Sequence, residues 1–506
     1  MKSVWIKAGT CRLITRWILP ALFLSAAWGV QVQPAGPSLV ITGARIADGS
    51  GAPLFEGSVR IQRGRIARIG SFSPDGNETV IDARGLVLAP GFIDIHNHSD
   101  DALEENLPAD SQISQGITTV LLGQDGDSPW PIGAYLAKLR KSPPQLNLMM
   151  LVGHATVRRK VMGDDYKRAA TQEEIAGMCR LVEQGMAEGG VGLSSGLEYV
   201  TGSYSKTEEL VSMARAAAEH GGFYLSHIRD EADKSFEAMQ EVISIGAQAK
   251  IPVQNTHIKL GTVGVWGKAG EVIQMYEAAR RRGIDITADC YPYEAWHSNL
   301  RVLVPSKRWD DSADVAKALA DVDGAKNILI MEYRRNPEYR GKTLEEVARS
   351  RGITPVDLYI EMVKNGDATI VGKSMIEADT KVFYQWKWTM VGSDGGIGMS
   401  HPRGAGTFPR VLGRLVREKQ WLKLEEAVRK MTSLPAWRLN LRDRGRIVRG
   451  YSADLVLFDP ATIIDNSTFE QPGKLSTGIE YVWINGELVW RHGAATGARP
   501  GRVLPQ

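Results

Sequence analysis

Eight short apolar runs alternate with amphipathic stretches of helical period through the middle of the chain, and that alternation restricts it to architectures built on a parallel sheet. The runs are "LAPGFIDI", "TTVLLG", "NLMMLVG", "VGLSSGL", "GFYLS", "PVQNT", "DITADC" and "TMVGS". Between them lie segments such as "TEELVSMARAAAEHGG" and "GEVIQMYEAARRRG", each closing in glycine, the residue best suited to end a helix. Eight parallel strands close a (β/α)8 TIM-like barrel, expected here over residues 91–439; an open doubly wound sheet is the alternative that counting leaves. The interval before the last run, about residues 295–388, exceeds one helical crossover and reads as an inserted lobe near the barrel mouth.

Outside this region the texture changes. "SLVITGARIADGSG" to "GLVLAP" consists of short β-branched strands broken by Gly, Asp and Asn, and "GYSADLVLFDP" with "EYVWINGELVW" repeats the pattern near the other end. The "NG" between apolar runs is a hairpin signal. Residues 38–90 and 440–506 are therefore expected to form one small β-sandwich domain from both ends of the mature chain. Ahead of it, Lys2, Lys7, Arg12 and Arg16 precede "WILPALFLSAAWGV", the form of a secretory signal peptide over residues 1–30, with an uncleaved anchor as the alternative. An exported protein, periplasmic or extracellular, is expected, with no membrane association after cleavage. Cys11 leaves with the leader, and Cys179 and Cys290 are too few for a disulfide framework. A net charge of only +3, scattered over 506 residues, gives no footprint for nucleic acid.

Catalytic groups of a barrel come from the C-terminal ends of its strands. Read in order, those ends carry His96 and His98 in "GFIDIHNHSD", Asp125 in "GQDGD", His154 in "GHAT" and Glu198 in "GLEY". Then follow His227 in "SHIRDE", His257 and Lys259 in "THIKLG", Asp289 and Tyr291 in "DCYPY", and Asp394 in "GSDGG". Five of the nine histidines fall at these ends, so a shared site outweighs the reading of each as a separate structural side chain. His220 and His492 lie elsewhere and read as structural, and His297 falls in the inserted lobe without an assignable role. Imidazoles with one or two carboxylates favour Zn2+, as one or two ions, over Mg2+ or Ca2+, with Mn, Co and Fe as alternatives.

"GFIDIHNHSD", "SHIRDE", "THIKLG", "DCYPY" and "SDG" followed by "HPRGAGTFPR" together resemble the amidohydrolase superfamily and, within it, the D-aminoacylases (N-acyl-D-amino-acid deacylases). The likeness covers nearly the whole mature chain. It implies a (β/α)8 barrel that binds zinc through His96, His98, His227 and His257 and hydrolyses the amide of small N-acyl-D-amino acids, with Asp394 as general base and acid. Lys259 and Arg403 are expected to meet the substrate carboxylate, Tyr291 or Tyr293 to add an aromatic contact, and His154 to stand on the substrate side. One departure is evident: where these enzymes carry a metal-binding Cys in an Asn-Cys-Gly segment, this chain has Gln124-Asp125-Gly126. No Lys in "GLSSGLEY" offers the carbamate bridge of other branches, so Glu198 is expected to bridge the metals, with Asp125 as second candidate. Other readings are a D-residue dipeptidase, a cyclic-amide hydrolase of the dihydropyrimidinase or dihydroorotase kind, and a non-catalytic binding scaffold, which would have lost these ligands.

Overall fold

A computed structural model describes residues 38–505, so the leader expected at residues 1–30 lies outside the described residues. The first five strands, Ser38–Ile46 (β1), Phe55–Gln62 (β2), Arg65–Gly70 (β3), Thr79–Asp82 (β4) and Val87–Pro90 (β5), belong to a small sheet. Seven barrel strands follow: Phe92–Asp94 (β6), Ile117–Leu122 (β7), Asn147–Gly153 (β8), Gly190–Gly196 (β9), Phe223–His227 (β10), Val253–Asn255 (β11) and Ile286–Cys290 (β12). Trp296–Asn299 (β13), Ile328–Glu332 (β14) and Thr369–Gly372 (β15) form a lobe, and Thr389–Val391 (β16) returns to the barrel. Leu455–Phe458 (β17), Ile479–Ile484 (β18), Glu487–Arg491 (β19) and Ala494–Ala495 (β20) complete the small sheet.

The barrel strands pair in parallel in the order β16-β12-β11-β10-β9-β8-β7-β6. Past the strand ends the ring is joined by an Asn97–Gly395 bridge, with the Asp394 N–H donating to the His96 carbonyl at 2.9 Å and the His98 N–H to the Gly395 carbonyl at 2.7 Å. Every residue of β7, β8 and β9 is buried, which is why these strands read as unbroken apolar or small-residue runs rather than as alternating patterns. Period two still sorts the side chains. Leu121, Met149, Leu151, Phe223, Leu225 and Met390 share one cluster, while the intervening Val120, Leu122, Leu148, Met150 and Tyr224 pack with the surrounding helices.

The small domain is a single folded sheet of nine strands, order β20-β19-β18-β17-β5-β1-β2-β3, with β4 added on β1. A bulge in β1 after Ile41 turns the strand, so that Leu39 to Thr42 pair with β4 and Arg45 and Ile46 pair with β5. Gly43 sits there at φ +67°, a conformation that suits glycine. Ile41, Val59, Leu88, Leu455 and Trp483, drawn from both ends of the described chain, enclose one core. The lobe has its own core around Leu300, Val315, Ile330, Leu358 and Tyr359. Local signals start its helices: Thr343 and Glu346 form a reciprocal cap on Leu344–Arg351, and Thr354 caps Pro355–Lys364, with proline at the first helical position.

A buried polar network fastens the small sheet to the barrel. Asp454 accepts from Arg444, from the Asn147 amide at 3.1 Å and from the Asn485 N–H at 2.6 Å, while the Asn485 amide donates to Asn147 at 2.8 Å. Asp454→Ala strands the buried Arg444 charge, and it is expected to lower the unfolding free energy by about 3–5 kcal/mol, read as a fall in denaturation midpoint.

Candidate metal centre

The site is built at the strand ends by residues held in unusual backbone conformations. Asp125, His257 and Asp394 have φ of +54°, +33° and +49°, in the left-handed region that non-glycine residues seldom occupy and that concentrates at functional sites. His96 Nε2 lies 3.2 Å from His98 Nε2, and Asp394 Oδ1 lies 3.1 Å from His98 Nε2 and 3.5 Å from His96 Nε2. Across from them His227 Nδ1 and His257 Nε2 are 2.9 Å apart. Asp125 stands between the two pairs, with Oδ1 at 3.6 Å from His96 Nε2 and 3.8 Å from His257 Nε2, and Oδ2 at 3.7 Å from His98 Nε2 and 4.0 Å from His227 Nδ1.

This arrangement fits a metal. Four imidazoles and two carboxylates turn their ligand atoms toward one buried space, and the buried Asp125 Oδ1 has no hydrogen-bond partner. Ligand atoms of His96, Asp125, His257 and Asp394 all lie within 4.8 Å of one another. The field favours positive charge: burial and Lys259 act to lower the His257 pKa, yet Glu231 and Asp394 outweigh them and push it up to about 10. Burial acts to raise Asp394, but Arg403, His257 and His96 hold that carboxyl well below the ordinary range. The donors are nitrogen and oxygen; among the described residues no thiol joins them, since Cys290 Sγ turns to the Ile258 and Tyr291 carbonyls. Such a set suits zinc and its first-row neighbours.

Glu198 does not occupy the centre expected of it. Its Oε2 meets the outer nitrogen of His227, Nε2, at 3.0 Å, and its Oε1 accepts the Glu231 N–H at 3.4 Å. Asp125 takes the central place instead, because its left-handed turn carries the carboxylate over the ring. His154 also departs from expectation. It opens the helix His154–Met162 directly after β8, and its Nε2 pairs at 2.8 Å with Glu209, which also receives Arg158; this buried triad ties two helices together away from the cavity.

Arg403 begins the helix Arg403–Arg410 and is 3% exposed. Its Nη1 lies 2.7 Å from Asp394 Oδ2 as an ion pair without hydrogen-bond alignment, and its Nε has no partner. Lys259 Nζ donates to Glu231 Oε1 at 2.6 Å and to the His257 carbonyl at 3.2 Å. The Tyr291 ring lies 4.9 Å from the Arg403 guanidinium carbon, whereas Tyr293 supports the "HPR" segment through its hydroxyl to the Pro402 carbonyl at 3.3 Å. The lobe closes over these groups, leaving a cavity of about 260 Å3 whose outer wall includes Trp296, His297, Val302, Leu303 and Val322. Burial, reinforced by Arg403, pushes His297 down to about 4, so it faces the cavity uncharged at neutral pH.

Sequence reading passed over Glu231, although it stands four residues after His227 in "SHIRDE", and noted Asp289 at a strand end without giving it a role. Asp289 Oδ1 accepts the His257 backbone N–H at 2.8 Å and lies 3.5 Å from His96 Nδ1, so it holds the His257 backbone in place and stands beside the His96 ring. Tyr199, whose ring lies 4.5 Å from that of His227, carried no signal beyond following Glu198.

A parallel barrel with four histidines and two carboxylates converging at its mouth defines the metal-dependent hydrolase class of this fold. Residues 79–490 match the amidohydrolase family, and the chain belongs to it. It is 37% identical over 494 residues to a D-aminoacylase of Alcaligenes xylosoxydans xylosoxydans, covering 92% of this chain and 97% of that one. It is 36% identical over 500 residues to an N-acyl-D-aspartate deacylase of the same organism, covering 93% and 95%. An N-acyl-D-glutamate deacylase of Bordetella bronchiseptica, solved with zinc and a phosphonate that mimics the tetrahedral intermediate, aligns at TM-score 0.84 and 33% identity, covering 92% of this chain and 99% of that one.

The central carboxylate is testable without substrate. Asp125→Ala is expected to weaken metal retention by at least about tenfold, measured as metal per protein after dialysis, whereas Glu198→Ala keeps near wild-type content; the reverse pattern returns the central role to Glu198.

Proposed function

We propose that the protein is a zinc-dependent deacylase of N-acyl-D-amino acids that releases a carboxylic acid and a D-amino acid. The observation that carries this reading is the sharing of one small cavity by the histidine and carboxylate cluster and by two buried cations, Arg403 and Lys259. A cleavable amide next to a free carboxylate is the substrate such a pairing selects. His96, His98 and Asp394 would hold one ion and His227 and His257 a second, with Asp125 between them. Bound there, zinc supplies Lewis acidity toward the amide carbonyl and lowers the pKa of water.

The chain's own residues supply the rest. Asp394 turns Oδ1 to the histidines and Oδ2 to Arg403, a position from which it accepts a proton from the attacking water and returns it to the departing amine. The Arg403 Nε–H and the remaining Lys259 N–H receive the substrate carboxylate, with the Tyr291 ring behind the guanidinium. Trp296, Val302 and Leu303 offer an apolar wall to the substrate side chain. Lys259 and Arg403 are the only Lys or Arg among the described residues lining this cavity, Arg301 and Lys307 lining the adjoining one; the Trp296, Val302 and Leu303 wall favours a neutral, apolar side chain over aspartate or glutamate. The preference for D-amino acids is supported by the relatives, and export by the basic-then-apolar segment at residues 1–30.

Paired N-acetyl-D- and N-acetyl-L-amino acids, assayed with and without chelator, test the proposal. N-acetyl-D-leucine or D-methionine is expected to exceed N-acetyl-D-aspartate by at least about tenfold in kcat/KM, with activity abolished by chelation and restored by zinc. Asp394→Asn should lower kcat by about 10²–10⁴-fold; preference for L-substrates, or turnover in chelator, overturns the reading.

A further inference from the structure

We propose that Glu231 is a positioning residue that fixes His257 as a metal ligand by accepting from both the Lys259 ammonium and the ring Nδ1–H, so that Lys259 does not donate to the ring. The proposal rests on the metal-binding part of the function above and on none of its substrate claims. Three groups meet at one point: Glu231 Oε1 is 2.6 Å from Lys259 Nζ and 3.1 Å from His257 Nδ1, and Lys259 Nζ is 2.8 Å from the same Nδ1. A lysine ammonium only donates, so for the neutral ring that a metal ligand must be, the contact admits two assignments. In one, Lys259 donates to Nδ1; the ring proton then sits on Nε2, and no lone pair faces Asp125 and His227. In the other, Lys259 and Nδ1–H both donate to Glu231, which leaves the Nε2 lone pair directed at the cluster. Only the second gives a ligand, and it requires an anionic acceptor at this position to hold two donors in contact.

The surroundings leave Glu231 little freedom. Its side chain is 13% exposed, its N–H donates to Glu198, and its carbonyl receives the Gly261 N–H at 3.3 Å, linking the loop after β10 to the loop that carries Lys259. Among the hydrogen bonds of Lys259, the His257 carbonyl is the other oxygen acceptor, at 3.2 Å; a neutral side chain at position 231 therefore leaves the ammonium to turn on Nδ1.

The test follows zinc release from the holoenzyme into excess chromophoric chelator for the wild type, Glu231→Gln, Lys259→Met and the double variant, with zinc content at saturation measured in each. Glu231→Gln is expected to bind the wild-type number of ions at saturation but to release zinc about 10- to 100-fold faster. Lys259→Met alone should release at nearly the wild-type rate. Removing both should bring release back to within about threefold of wild type, because the competing donor is gone. The proposal is overturned if Glu231→Gln releases zinc at the wild-type rate, if it loses a whole equivalent at saturation and is thus itself a ligand, or if the double variant is as leaky as the single one. No arm uses substrate, so a failure of the deacylase reading leaves this result standing, and the converse holds as well.

Discussion

Beside the backbone bonds that close it, the seam between the first and last barrel strands is braced by one buried carboxylate, and the site depends on it. Asp94, at the end of β6, accepts from the Asn97 amide at 2.8 Å, from the Ser393 N–H at 2.8 Å and from the Ser393 hydroxyl at 2.5 Å. Ser393 immediately precedes Asp394, and Asn97 lies between His96 and His98. Two histidines from one strand end and a carboxylate nearly three hundred residues later are thus set against each other by hydrogen bonds made to a third group, which also accepts the His96 N–H at 3.3 Å. Burial acts to raise the Asp94 pKa and its donors act to lower it; the balance is upward, the cost of placing this acceptor in the dry wall of the barrel. The shared donors fix the distance between His98 and Asp394.

A second constraint works through the backbone. Asp125 reaches the middle of the cluster because the loop after β7 passes very close to the end of β9. A Cβ on Gly196 would lie 2.2 Å from the Asp125 carbonyl, and one on Gly126 would lie 2.9 Å from the Gly196 N–H nitrogen. With side chains at either position the loop would stand away from the ring, and the Asp125 carboxylate with it. The positive φ of Asp125, His257 and Asp394 acts in the same direction, turning these side chains out of the alternating in-and-out directions of a regular strand end.

These two constraints explain how far the sequence could be read. The barrel strands were legible because burial on both faces leaves uninterrupted apolar or small-residue runs, and the four histidines because they follow those runs at once. What sequence position does not carry is reach. Glu198 and Asp125 both follow strands, and Glu198 was expected to bridge because it stands at the fourth strand, where other branches of the superfamily carry the carbamate lysine; the turn at Asp125 and the glycines around it reverse that order, and neither is visible as a pattern. His154 follows β8 just as directly, but there the chain enters a helix without a loop, which turns the imidazole toward Glu209. Glu231 was hidden for a different reason: its partners Lys259 and His257 belong to the next strand end, so its environment exists only once β10 and β11 are paired. The lobe was legible as surplus length, while its sheet order and its part in the cavity were not.

Chemistry and selectivity consequently come from different parts of the chain. The barrel supplies the cluster of four histidines with Asp125 and Asp394, and the insertion supplies much of the apolar wall. The join between them is narrow and polar. Ser374, just after β15, donates from its hydroxyl to the Gly261 carbonyl at 2.8 Å, accepts the Trp296 indole N–H on that hydroxyl at 2.9 Å and the Trp266 indole N–H on its carbonyl at 3.0 Å. Gly261 lies two residues beyond Lys259, so the lobe is pinned to the loop that carries Lys259. Changes in Val302, Leu303 or Val322 therefore alter the shape offered to a substrate side chain while leaving that pin, the seam at Asp94 and the donors around Asp125 in place. A wall assembled this way lets side-chain preference vary among relatives without disturbing the ligands, and a substitution at Ser374 stands apart, since it moves wall and cation together.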